Sequence, residues 1–286
     1  MMDVICVAEN SKLPVWNYSS FAITERIEAD SYRVIVPNSD VEGFTLASPP
    51  QFHVEAEDCY SADFGSYLKD SMSGENAGRY GWYLQQLIKL EALRTLANQG
   101  KTGLIWDADT MPLRQMRFVA EGGRCSLFHG EEYHAPYFEA ISRLLGMNRV
   151  VAHSFVAQSF LCRPEWILDF CDEIERKNGV PWWQAVIDCV DFKERSGFSE
   201  YETLGTFISH RFPDGWNWSP GEWARNGYSL FGTPQNAYKL SQEGNVDLLF
   251  AAFEHWESSQ KRTQGGFIAW LRLVKNRISR VRRLTA

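Results

Sequence analysis

The sequence lacks three features that mark secreted, membrane-spanning or zinc-thiolate proteins. Its opening residues, MMDVICVAEN, place no basic segment ahead of an apolar run, so no secretory signal is expected. No uninterrupted apolar stretch has the length needed to cross a bilayer. The six cysteines form no CxxC pair and no zinc-like spacing, and most lie inside apolar runs. These absences predict a reduced protein in the cytoplasm.

The net charge is unevenly distributed along the chain. Residues 267–286 carry six Arg or Lys side chains and no acid, whereas the whole chain has a net charge of −7, which leaves −13 (−7 − 6) for the rest. A general nucleic-acid-binding protein needs its basic patch on the folded domain. The charge distribution therefore argues against nucleic acid as a partner.

The basic C-terminal segment has a helical apolar period. Its apolar residues at 267, 270, 271, 274, 278 and 281 follow an i, i+3, i+4, i+7 series, and basic residues fill most of the other positions. A helix of this kind can lie in the headgroup layer of an anionic membrane, or it can pack on an acidic domain. We predict a domain over residues 1–260 and an amphipathic tail over 261–286, with the protein peripheral to the inner face of the membrane.

The remaining pattern predicts an α/β fold in a single domain. The chain has 286 residues, of which 44% are hydrophobic, and no internal repeat. A strand at 3–8, a helix at 15–29 and a strand at 32–37 form a parallel βαβ unit. A helix over 79–100 then precedes a strand at 103–106. Further elements are strands at 124–130 and 154–164 and helices at 135–146, 165–179, 182–197 and 199–213, whereas 214–245 shows no clear period.

Two aspartates follow the apolar strand in TGLIWDADTMPL, residues 102–113. Side chains two positions apart on an extended chain share a face, so Asp107 and Asp109 can approach one cation. Open α/β sheets bind ligands beyond the carboxyl ends of their parallel strands. Carboxylate oxygens suit Mg²⁺ or Mn²⁺, although a solvated aspartate turn also explains the pair.

The motif fits more than one class of protein. LIWDADT matches the DxDx(T/V) strand of haloacid-dehalogenase-type phosphatases, in which Asp107 would be the nucleophile and Asp109 the acid/base. That fold normally opens with this motif, whereas here a helix and two strands come first. If the two aspartates form only a turn, a third possibility is a non-catalytic carbohydrate-binding protein.

Four segments resemble a bacterial family of nucleotide-sugar glycosyltransferases with the GT-A fold, long catalogued as a domain of unknown function. They are GWYLQQLIKLEAL, DADTMPL, FSEYETLG (198–205) and FEHW (253–256), and the resemblance spans roughly residues 3–257. It implies a GT-A-like, Rossmann-related, mostly parallel sheet flanked by helices. It also implies transfer of a sugar, with Mn²⁺ or Mg²⁺, from a nucleoside-diphosphate-sugar donor to a saccharide or lipid-linked acceptor in cell-surface polysaccharide or glycolipid synthesis.

The resemblance also implies metal ligands and catalytic groups. Asp107 and Asp109 match the DxD motif, with Asp109 the direct metal ligand and Asp107 nearer the ribose, and His255 matches a late third ligand. Glu200 is the first choice for the base that activates the acceptor hydroxyl, and Glu202 is the second. Each glutamate can equally be an acidic residue at a helix N-terminus, where the helix dipole favours it.

Donor binding is implied for a further set of residues. Those near the nucleotide or sugar are Ala8, Glu9, Gln85, Gln86, Lys89 and Trp106, together with Asp107. The first two follow the first strand, where fold analogy alone places the nucleobase. Trp106 is one of four tryptophans, with Trp82, Trp216 and Trp218, whose indole faces can stack on a sugar.

Overall fold

A computed structural model describes residues 2–72, 78–254 and 257 of the chain. Its contacts group the chain into two compact units. The first unit comprises residues 1–11, 28–107 and 117–220, and the second comprises 12–27, 108–116 and the residues from 221 onward. The tail over 261–286 lies outside the described residues, so the domain boundary at 260 stays a prediction.

Ten strands are described, with bounds as follows: β1 (Met2–Val7), β2 (Ser31–Val36), β3 (Phe52–Ala56), β4 (Thr102–Trp106), β5 (Thr110–Pro112), β6 (Cys125–Leu127), β7 (Ser159–Cys162), β8 (Trp216–Trp218), β9 (Trp223–Ala224) and β10 (Phe250–Ala252). The described α-helices are α1 (Leu13–Arg26), α2 (Val41–Ala47), α3 (Asp58–Ser61), α4 (Gly65–Ser71), α5 (Tyr80–Ala97), α6 (Ala135–Leu145), α7 (Pro164–Asn178), α8 (Trp182–Cys189), α9 (Glu200–Arg211), α10 (Gly227–Phe231) and α11 (Pro234–Gln242). Short 3-10 turns cover Asn10–Lys12 and Asn38–Asp40.

The first unit is built on a five-stranded sheet in the order β3-β2-β1-β4-β7. The first four strands are parallel, and β7 runs antiparallel to β4. Strands β1 and β4 pair with Ile5 opposite Ile105, and their apolar residues are buried, as expected for a parallel sheet covered on both faces. The predicted mostly parallel sheet flanked by helices is confirmed. Because β1 and β4 are parallel neighbours, the residues that follow them emerge at the same sheet edge.

Helix α5 packs on β1, β4 and α7 and supplies much of the core of this unit. Its apolar residues form a broad arc, and even Gln86 and Lys89 are at most 4% exposed. A Cβ on Gly103 of β4 would lie 2.6 Å from a methyl carbon of Leu93, so the absence of a side chain there lets the helix approach the strand. This contact fixes Lys89 over the end of β4.

Three predicted elements of the first unit are shorter in the structure, among them the strand predicted over 124–130, which is regular only over Cys125–Leu127. The predicted helix over 182–197 ends at Cys189, because the Asp191 side chain accepts a bond from the Lys193 amide at 2.9 Å and stabilises a turn instead. The predicted strand over 154–164 is regular only over Ser159–Cys162. Gln158, just before it, has a φ of +63°, in the left-handed region that interrupts a strand.

The second unit has its own small sheet and core. Strand β10 pairs antiparallel with β5 and parallel with β9, and α1 packs on β5 and α11. One cluster of its buried apolar residues comprises Val15, Ala22, Met111, Leu113, Phe231, Ala237, Ala251 and Phe253. The stretch without a clear period therefore contains regular structure. The residues Thr233-Pro234 mark the start of α11 in the sequence, and this signal was missed. The Thr233 hydroxyl caps the helix by accepting from the Asn236 amide.

None of the helices in the described part of the chain is long and apolar enough to cross a bilayer.

We predict that Gly205→Ala destabilises the first unit. A Cβ at this position in α9 would lie 2.1 Å from the ring of Phe155, which is only 1% exposed and has little room to shift. Overpacking of this kind costs about 1–3 kcal/mol or more. The matched control is Gly81→Ala in α5, where a Cβ meets open space. That change should be neutral or stabilising by up to about 1 kcal/mol. Urea unfolding followed by circular dichroism measures both, and equal midpoints would contradict the packing argument.

Candidate functional site

Asp107, the residue after β4, is at the centre of a buried polar cluster in the first unit. Its Oδ1 accepts from Lys89 Nζ at 2.7 Å and from the Tyr201 hydroxyl at 2.6 Å. The same ammonium donates to Glu200 Oε1 at 2.7 Å, and it lies 4.5 Å from the centre of the Tyr201 ring. Two carboxylates therefore share one cation.

Helices α5 and α9 hold this cluster together from two directions. Gln86 and Lys89 are three positions apart on α5 and so share a face. Gln86 Oε1 accepts from the Glu200 amide at 3.0 Å, while Lys89 binds the Glu200 carboxylate. Ser199 caps the same helix end by accepting from the Glu202 amide. The first turn of α9 is thus fixed against α5.

The backbone at Asp107 is also constrained. Its amide donates to the carbonyl of Gln158 at 2.9 Å, and Gln158 has the left-handed φ noted above and is 5% exposed. A non-glycine residue held in this region costs free energy and is found more often at functional sites. The strained residue therefore directly positions the first aspartate of the motif.

Burial and charge fix the protonation of the cluster. Burial lowers the pKa of Lys89, but the charges of Asp107 and Glu200 raise it by more, so the net pKa is raised and the ammonium stays charged. Burial, followed by the same two carboxylates, raises the pKa of Tyr201 well above its usual range. Burial, followed by the charge of Asp107, also raises the pKa of the Cys6 thiol. Tyr201 therefore remains a hydrogen-bond donor, and Cys6 remains a thiol.

Asp109 belongs to the second unit and is 6% exposed. Its Oδ2 accepts from Lys12 Nζ at 2.5 Å, and its carbonyl accepts from the Phe253 amide at 2.8 Å. The preceding carbonyl, of Ala108, accepts from Ser19 Oγ at 2.8 Å. The backbone of Asp109 is therefore tied to its own unit, whereas the Lys12 side chain is 28% exposed and has room to move.

Each aspartate, taken within its own unit, offers oxygen donors of the kind that a hard divalent cation binds. Both bonds to Asp107 fall on Oδ1, and the bond to Asp109 falls on Oδ2, so each carboxylate keeps one oxygen with no hydrogen-bond partner among the described residues. Carboxylate oxygens are the ligands that Mg²⁺ and Mn²⁺ prefer. His255, the predicted third ligand, lies outside the described residues.

The predicted nucleobase residues lie at the same edge of the sheet as Asp107. Ala8 is 7% exposed and donates its amide to the Ile35 carbonyl, and Glu9 is exposed and accepts from Ser11 Oγ. Gln85, by contrast, is half-buried, and its side chain makes no hydrogen bond within the described ranges. It does not join the cluster formed by its neighbour Gln86.

Trp106 has no exposed surface and packs edge-on against Phe118. Its indole faces are covered by protein, so stacking on a sugar would require β4 to shift. Trp82, Trp216 and Trp218 are only partly buried. They are the predicted tryptophans with surface left for a ligand.

Glu202 faces away from Lys89. Its Oε2 accepts from Ser154 Oγ at 2.5 Å and from the Phe155 amide at 3.1 Å. Burial raises the pKa of Glu202, and these two hydrogen bonds oppose that rise. The side chain thus anchors residues 154–155, and whether it also acts as a base stays a prediction.

Sequence reasoning missed Tyr201 and Lys12. Tyr201 stands between the two glutamates of FSEYE, and its hydroxyl binds Asp107. Lys12 follows β1 and precedes α1, a loop position that gave no motif, yet its ammonium meets Asp109 from 97 residues away. The position of Tyr201 beside Glu200 was a usable signal, because adjacent residues in the first turn of a helix can reach one site.

A family model described as a family of unknown function, DUF6492, matches residues 19–210, which is more than half of the chain. The chain belongs to this family. No curated protein matches it. The matched range of this DUF6492 member includes Lys89, Asp107, Asp109, Glu200 and Tyr201.

Several solved structures are similar to this DUF6492 member. Mouse xyloside xylosyltransferase 1 in its apo form aligns with a TM-score of 0.48 at 9% identity, covering 90% of this chain and 98% of that one. An active-site mutant of LgtC aligns with a TM-score of 0.49 at 10% identity, and the alignment covers 96% of each chain. The galactosyltransferase LgtC with donor and acceptor sugar analogues aligns with a TM-score of 0.44 at 10% identity. This alignment covers 88% of this chain and 87% of that one.

Proposed function

We propose that this chain is a metal-dependent glycosyltransferase that moves a sugar from a nucleoside-diphosphate-sugar donor to a saccharide or lipid-linked acceptor. The observation that carries the proposal is the cluster of Asp107, Lys89, Glu200 and Tyr201 at the carboxyl end of β4. This is the end of a parallel strand at which open α/β sheets bind ligands. The DxD motif and the LQQxxK and FSEYE segments that build the cluster are those that resemble the glycosyltransferase family.

In this proposal the aspartates would hold Mn²⁺ or Mg²⁺ through their remaining carboxylate oxygens. A cation held there would supply Lewis-acid neutralisation of the charge on the leaving nucleoside diphosphate. Lys12, with 28% of its side chain exposed, leaves Asp109 when the cation binds and pairs with a phosphate oxygen. Ala8 and Glu9 face the base, Gln85 and Gln86 lie near the nucleotide, and His255 is the further metal ligand.

Glu200 is the proposed general base. Its carboxylate accepts the proton of the acceptor hydroxyl as that oxygen bonds to the anomeric carbon, while the bond from this carbon to the diphosphate breaks and the nucleoside diphosphate leaves. Lys89 acts as a positioning residue, because one ammonium orients both the Glu200 and Asp107 carboxylates and keeps them apart. Tyr201 orients Asp107 by its hydroxyl bond. Glu202 is the second candidate for the base.

We propose that the acceptor is an intermediate in cell-surface polysaccharide or glycolipid assembly. The basic segment over 261–286 would bring the enzyme to the anionic inner face of the membrane, where lipid-linked acceptors are held. The partners expected are therefore the sugar donor, a saccharide or glycolipid acceptor and a lipid surface.

Thermal unfolding against a panel of nucleoside diphosphates, with and without Mn²⁺, tests the donor site. We expect one nucleotide together with Mn²⁺ to raise the midpoint, by about 5 °C at a hundredfold excess over the Kd. Neither component alone should do so, because in this proposal the carboxylates and the diphosphate would both be needed to hold the cation. Asp109→Asn should lose the shift, and the matched change Asp214→Asn, at an exposed aspartate, should keep it.

Two results would overturn the proposal. Stabilisation by Mg²⁺ with a phosphate mimic, and by no nucleotide, would favour a phosphatase that uses Asp107 as nucleophile. Stabilisation by free saccharides alone, unchanged in Asp109→Asn, would favour a carbohydrate-binding protein.

A further inference from the structure

A second group of potential metal ligands lies in the first unit and has no part in the proposed glycosyl transfer. His129, Glu131 and His153 each offer one ligand atom, and the three atoms lie within 4.8 Å of one another. Glu131 Oε1 is 3.3 Å from His129 Nδ1 and 3.0 Å from His153 Nδ1. The two imidazole rings are 4.1 Å apart between centroids.

The backbone brings these three side chains to one face. Gly130 and Ser154 form an antiparallel bridge, with amide-to-carbonyl distances of 2.9 and 3.0 Å. In this register Glu131 lies opposite His153, and His129 shares the face of Glu131 because it is two residues away. The glycine is required at the centre, since a Cβ on Gly130 would lie 2.5 Å from the Val156 carbonyl oxygen.

The strand behind the group is held rigidly. Glu202, on α9, accepts from Ser154 Oγ and from the Phe155 amide, the two residues that follow His153. Ser154 Oγ also accepts from the Val156 amide at 3.1 Å. The position of His153 therefore depends on buried hydrogen bonds rather than on an exposed loop, as a preorganised ligand set requires.

The three ligand atoms lie close enough for one divalent cation to bind both imidazoles and the carboxylate together. The separations of 3.0 and 3.3 Å also match the spacing of about 3.3 Å between neighbouring ligands of a tetrahedral Zn²⁺.

We propose that His129, Glu131 and His153 bind a divalent ion of the zinc class. Two nitrogen ligands and one oxygen ligand suit Zn²⁺ or Co²⁺ rather than the hard Mg²⁺ or Mn²⁺ expected at the aspartates. The side chains are 36%, 77% and 38% exposed, so the remaining coordination positions open to solvent. The centroid of the Trp218 ring lies 5.6 and 6.0 Å from the centroids of the His129 and His153 rings, so this tryptophan covers one side of the site.

Calorimetric titration of the metal-stripped full chain with Zn²⁺ tests this site without an activity assay. We expect about one equivalent bound by the wild type, with the affinity lowered at least about 100-fold in His129→Ala and His153→Ala and about 10- to 100-fold in Glu131→Gln. The matched control His53→Ala, at an exposed histidine of β3, should bind as the wild type does. Asp109→Asn should also bind Zn²⁺ normally, which separates this result from the proposed function.

The visible spectrum of the Co²⁺-loaded chain identifies the ligands directly. We expect d–d bands without a thiolate charge-transfer band, and we expect these bands to disappear in His153→Ala while its circular dichroism stays that of the wild type. A thiolate band, undiminished Zn²⁺ affinity in both histidine variants, or loss of binding in His255→Ala instead would overturn the proposal.

Discussion

Replacing Lys89 by methionine is expected to destabilise the chain by about 3–5 kcal/mol. The ammonium is the shared partner of Asp107 and Glu200, and its side chain is 5% exposed. Without it, the buried carboxylate of Glu200 and the half-buried carboxylate of Asp107 lose their shared cation. Urea unfolding followed by tryptophan fluorescence measures the loss. The matched control is Arg176→Met, which removes a cation from the exposed Arg176–Glu173 pair and should leave the midpoint unchanged.

The pH dependence follows from the direction of the Lys89 pKa. Burial lowers this pKa, but the charges of Asp107 and Glu200 raise it by a larger amount. The pKa of Lys89 in the folded state therefore lies above its value in the unfolded state. The stabilisation is then fully present below the ordinary lysine pKa and is lost only as the pH rises through the raised folded-state pKa. The difference in unfolding free energy between wild type and Lys89→Met should therefore be constant from about pH 6 to 9.

A second variant separates the charge from the packing of the side chain. Adding Asp107→Asn to Lys89→Met leaves Glu200 as the only carboxylate of the cluster, so part of the lost stability should return through coupling between the two sites. If the double variant is less stable by the full sum of the two single losses, the destabilisation comes from packing and the charge argument is wrong.

Glu200→Gln is expected to lower the rate of sugar transfer about 100- to 10,000-fold, because an amide cannot take the proton of the acceptor hydroxyl. This prediction depends on the proposed function. The assay is release of nucleoside diphosphate from whichever donor stabilises the wild type in the thermal panel. The stabilisation by nucleotide and Mn²⁺ should survive in the variant, since Glu200 is not among the proposed metal ligands.

Glu202→Gln is the matched control for the base. Its carboxylate binds Ser154 and the Phe155 amide, and it does not contact Lys89. We expect transfer to fall less than about tenfold, because the proposed proton acceptor is intact. A loss in Glu202→Gln as large as that in Glu200→Gln, with both variants folded, would move the role of base to Glu202.

The local patterns of the sequence were sufficient for the elements that build the first unit. The apolar runs of β1 and β4 and the helical period of α5 predict their positions to within a few residues, because both depend on which side chains of a short segment are apolar. The Asp107 position at a strand end follows from the same reasoning. Errors arose where a polar side chain competed with the helix backbone, as at Asp191.

The convergence of charged side chains was decided by the tertiary structure. Lys89 meets Asp107 from 18 residues away and Glu200 from 111 residues away. The pairing of Lys12 with Asp109 and the grouping of His129, Glu131 and His153 have no local signal either. The spacing of apolar residues along a segment indicates its local hydrogen-bonded structure and its apolar face. The partner of a buried charge depends on strand order and helix packing, because only these bring distant segments within a few ångströms of each other.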